Sequence, residues 1–86
     1  MFDNIDFSPG VVTYNATQFL DQEDIFQVTY YEGFVLAVGW YRKEFAIVVI
    51  KDSDWENPLL GKRCVKLDEL HRHVRECSEC TFKRSE

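Results

Sequence analysis

A chain of 86 residues suffices for one domain and leaves no room for a second independent core. Hydrophobic residues make up 45% and aromatic residues 15%, with 4 Gly and 2 Pro, which excludes a disordered or low-complexity chain. Fifteen acidic against ten basic residues give a net charge of −5, a field that repels a phosphate backbone and disfavours nucleic acid as a partner.

The opening "MFDNIDFSPG" has neither the basic segment nor the apolar run of a secretion signal. No stretch reaches the ~20 apolar residues of a membrane span, so a cytoplasmic protein with no membrane partner is expected. Three cysteines, an odd number, fit reduced thiols better than a disulfide framework. Residues 1–9 are expected to fray, and Ser8–Gly10 reads as a turn. "VVTY" (Val11–Tyr14) has β character. Asn15 followed by Gln18 resembles a capping box, which predicts a short helix within residues 16–24.

"IFQVTYY" and "FVLAVGWY", joined by Glu32-Gly33, read as two strands of a tight hairpin. In the second strand Phe34, Leu36, Val38 and Trp40 share one face, opposite Val35, Ala37, Gly39 and Tyr41. Arg42–Glu44 is a polar turn into "FAIVVIK" (Phe45–Lys51), apolar on both faces as a central strand would be. "DSDWENP" (Asp52–Pro58) is a loop with Trp55 at its tip, and a fourth strand is expected around Lys62–Lys66. Leu67, Leu70, Val74 and Cys77 recur at spacings of 3, 4 and 3, the stripe of a helix running from Asp68 to about Cys77. Residues 81–86 are expected to fray. The predicted fold is a single α+β domain, 1–86: a three- to four-stranded antiparallel meander with the C-terminal helix packed on one face, and a short N-terminal helix as an option.

"HRHVRECSEC" (His71–Cys80) holds the residues that look most like chemistry. On a continuous helix His73, Cys77 and Cys80 fall within about 60° of one another, a plausible zinc face. His71 lies on the far flank, and Cys64 falls beneath the first helical turns while Cys80 lies about 15 Å further along, so a fourth ligand is badly placed. No bound cofactor is expected, with zinc as the alternative. Cys77-Ser-Glu-Cys80 would sit at a helix C-terminus beside Glu76 and Glu79, which opposes thiolate formation and redox work. Cys64 with His71 or His73 would be the nucleophilic candidates, without a supporting signature; an enzyme is less expected than a binding protein.

Tyr31, Trp40, Tyr41 and Trp55 fall on strand ends and loops and form the candidate interaction surface. One helix with one stripe cannot cover both faces of such a sheet, so the other face needs the N-terminal segment, a second copy or another protein. The expected function is non-catalytic protein interaction, either as a homodimer through that face or by capping a protein partner. An acidic inhibitor or immunity-type protein that covers a basic site is one form of this, with the first 24 residues, which contain no Lys or Arg, as the contact surface. The competing readings are a zinc-supported module using His73, Cys77 and Cys80, and a small enzyme of unknown chemistry.

Overall fold

The computed structural model describes residues 2, 5–8, 10–18 and 21–85, with side chains described as far as Thr81. Five strands form one antiparallel sheet in chain order: β1 (Val11–Asn15), β2 (Phe26–Thr29), β3 (Phe34–Tyr41), β4 (Glu44–Lys51) and β5 (Leu60–Cys64). A single helix, α1 (Leu67–Ser85), follows and packs against β3, β4 and β5. Among the described residues no helix is long and apolar enough to cross a membrane.

Both central hairpins turn on left-handed residues. Glu32 (φ 62°) and Gly33 (φ 82°) close the first, with the Phe34 N–H donating to the Tyr31 carbonyl. Arg42 (φ 50°) and Lys43 (φ 67°) close the second. Two consecutive positive φ values give a turn whose twist matches that of the flanking strands.

The strand count exceeds the expected three to four because both weakly signalled segments pair. "VVTY" is held by β2 through an irregular register between Val12 and Tyr14, where the Thr13 and Thr29 hydroxyls meet at 3.1 Å. The five residues of β1 are all exposed, as an edge strand's can be. β5 starts two residues before the expected segment, because the Leu59 N–H already donates to the Val49 carbonyl at 2.7 Å.

Among the described residues the short N-terminal helix is not found. Residues 17–18 and 21–23 form turns and bends, 16 and 24 have no regular structure, and Phe19 and Leu20 lie outside the described residues. The Asn15 side chain accepts from the Thr17 N–H at 3.2 Å and the Thr17 hydroxyl at 3.0 Å, a local turn that competes with helix initiation.

α1 runs well past Cys77. No Gly or Pro interrupts it, and 19 residues span about 28 Å at 1.5 Å each, comparable to the long strands beneath. Its buried stripe is Leu70, Val74, Cys77 and Thr81, each at most 1% exposed. Leu67, expected in that stripe, is half exposed. Two polar residues lie on the inner side with their groups satisfied. Thr81 donates to the Cys77 carbonyl at 2.7 Å, and the Ser78 and Tyr30 hydroxyls meet at 2.7 Å. Phe2 and Phe7, within the segment expected to fray, are buried against Phe26, with ring centroids 4.9 and 5.4 Å from it. The core therefore lies on one side of the sheet, between its large aliphatic face and a cover made of α1 and the N-terminal rings.

Candidate functional site

The second face is built from the alternate residues. Register aligns Gly39 with Ala46 and Ala46 with Arg63, and in the next row Ala37 with Val48 and Val48 with Gly61. Four of these six positions are Gly or Ala, so the sheet surface sinks there into a trough.

The segment preceding β2 forms one wall. The Trp40 N–H donates to the Gln22 carbonyl at 3.1 Å and the Ile25 N–H to the Val38 carbonyl at 2.9 Å, which lays residues 22–25 along the end of β3. A Cβ on Gly39 would overlap the Glu23 carbonyl oxygen, so glycine permits this close approach of two backbones. Tyr41 and Trp55 stand on the rim, 46% and 53% exposed. Trp55 sits in a compact loop whose Asp54 N–H donates to the Lys51 carbonyl at 3.1 Å. The groove measures about 330 Å³ and is lined by Glu23, Asp24, Ala37, Gly39, Tyr41, Ala46, Val48, Trp55 and Arg63, together with Val38. Toward the other end of this face Ile50 is 1% exposed, so the opening is confined to the half near Tyr41.

Charge around the groove is lopsided. Arg63 Nη1 lies 3.7 Å from the Glu44 carboxylate, so the β5 side carries a paired cation. Asp21, Glu23 and Asp24 are all exposed, and no ion pair to any of them occurs among the described residues.

Of the four rings expected on an interaction surface, the fold brings Tyr41 and Trp55 together. Tyr31 is 65% exposed but sits in the β2–β3 turn, at the far end of β3 from Tyr41. Trp40 belongs to the core-side face, edge-on to Phe45 with centroids 4.7 Å apart. The floor residues Ala37, Gly39 and Ala46 were not singled out as a site in the sequence, whereas the wall residues Glu23 and Asp24 fall within the first 24 residues expected as a contact surface. The available signal was small residues at alternate positions of two strands otherwise rich in Val, Ile and Phe.

His73, Cys77 and Cys80 lie on one flank of α1 but in three environments. Cys77 is buried, Cys80 is exposed, and His73 is half-buried with Nδ1 lacking a hydrogen-bond partner among the described residues. Among the described residues, no group of three or more His, Cys, Asp or Glu side chains is placed to hold a metal ion. The cysteine pair also lies inside the helix, not at its C-terminus as expected. Burial, more than any charge, pushes the Cys77 thiol up to about 11, with Cys80 and Glu76 adding to the rise and Lys62 opposing it. Cys64 is buried near the start of α1, and burial raises its thiol as well, with Glu69 adding to the effect. A protonated, enclosed thiol is a poor nucleophile. His71 is half-buried, its ring centroid 6.3 Å from that of Phe2. Set against known proteins, the chain matches no family model, no curated protein and no solved structure.

Proposed function

We propose that this chain is a non-catalytic protein-interaction module that docks a protein partner on the open half of its second sheet face. One observation carries the reading: Tyr41 and Trp55, rings with polar handles, flank a groove floored by Gly and Ala that the described residues leave open. The titratable groups on that groove are Glu23, Asp24, Tyr41 and Arg63, which supply no cysteine or histidine for a nucleophile–base pair.

The shape favours capping a partner over self-association. Two copies meeting through this face would set trough against trough and enclose empty space, which forfeits packing. A protruding element of another protein fills it. Trp55→Ala separates the possibilities, because the ring is exposed and its loss costs the fold little. In pull-downs from the cells that make this protein, the variant should lose partners retained by the wild type while keeping the same Tm. An identical set of bound proteins would contradict the reading, as would a stable dimer dissociated by the substitution.

A further inference from the structure

We infer that the groove takes a cationic side chain, the guanidinium of Arg or ammonium of Lys, presented on the basic surface of a protein partner. The inference rests on the docking role proposed for this face and names the chemistry that enters it.

Three features converge on a cation. Tyr41 and Trp55 are the ring types whose faces attract guanidinium and ammonium groups most strongly, and Arg stacks on them as well. Beside them the segment Asp21–Asp24 carries three carboxylates in four residues, none ion-paired among the described residues. The cation among the groove's lining residues, Arg63, pairs with Glu44 and with none of the carboxylates of that wall. The Gly39–Ala46 floor suits a slender methylene stem lying along the sheet with its charged head at the wall. An acidic or phosphate-bearing partner would meet repulsion at the same wall and from the net charge of −5.

The test is an amide and indole NMR titration of the full chain with acetyl-tetra-arginine-amide, alongside tetra-lysine, tetra-glutamate and tetra-leucine peptides. Tetra-arginine should shift the Trp55 indole, Tyr41, Gly39 and residues 23–24 together, with weaker binding as salt rises. Tetra-glutamate should shift none of them. The double variant Glu23→Gln/Asp24→Asn should weaken tetra-arginine binding by at least about fivefold, and Trp55→Ala by a similar factor. Asp68→Asn/Glu69→Gln changes the net charge equally but lies on the first turn of α1, and should leave the affinity within about twofold. Equal weakening by the two double variants would overturn the inference, since it would report net charge alone. If tetra-leucine shifts the groove and tetra-arginine does not, the cation fails while the docking face stands. If no peptide shifts the groove, or sedimentation shows a dimer with groove resonances broadened, the docking reading fails with it.

Discussion

The two faces of one sheet are made from the same strands, and they differ in side-chain volume more than in polarity. On the core side β3 and β4 contribute Leu36, Val38, Ile47 and Val49, at most 2% exposed beneath α1. On the other side, at the end near Tyr41, the same strands contribute Ala37, Gly39, Ala46 and Val48. An apolar alternate position does not by itself mark a core. Large aliphatics call for a cover, whereas small residues between rings leave a hollow that a protruding group can enter.

The largest effect should come from the covered face. Ile47→Ala removes a fully buried side chain and should cost about 2–5 kcal/mol in urea denaturation. Val48→Ala, one residue along and facing the groove, should cost under about 1.5 kcal/mol, because its site is half-open and collapses more easily. Equal losses would mean that the second face is covered.

Next is Gly39→Val, which drives a side chain into the Glu23 carbonyl. The wall must move, so a loss of about 1–3 kcal/mol is expected, with NMR shifts concentrated at residues 21–24. Tyr30→Phe tests the cover instead. It leaves the Ser78 hydroxyl without its partner in a buried position, at a cost of about 1–3 kcal/mol by thermal melts evaluated at Tm.

The smallest effects concern the thiols. At pH 8, Cys80 should react with iodoacetamide rapidly, and Cys64 and Cys77 only as fast as the chain unfolds. Cys77 also fixes the sign of an alkaline effect. Its folded pKa is raised from 9.0 to about 11, so the protonated form is favoured in the fold. That contribution is full below about 9 and is lost as pH rises through about 11. Cys77→Ala should flatten the decline over that window; an unchanged profile would contradict the assignment.

Much of this fold was legible in the sequence. Glu32-Gly33 and Arg42-Lys43 stand between runs of alternating apolar residues, and the parity of β3 read from the chain is the parity found in its register. What was not legible depends on partners distant in sequence. Ser78 and Thr81 look like the end of an apolar stripe, yet lie inward because Tyr30 and the Cys77 carbonyl satisfy their hydroxyls. β5, with Gly61, Lys62 and Arg63, has little strand character of its own and is fixed by pairing with β4. For the site, the rings at 41 and 55 stood out, but their juxtaposition with Glu23 and Asp24 requires the pre-β2 segment to cross Gly39. Local patterns carry no such crossing.

Hydroxyl-radical footprinting of the free chain at micromolar concentration tests the contrast between the faces most directly. Trp55 and Tyr41 should oxidise quickly, Trp40, partly buried against Phe45, more slowly, and Phe45, enclosed on the core side, slowest. Protection of Trp55 and Tyr41 in the free chain, to the level of Phe45, would show that face already covered and would contradict the open docking surface.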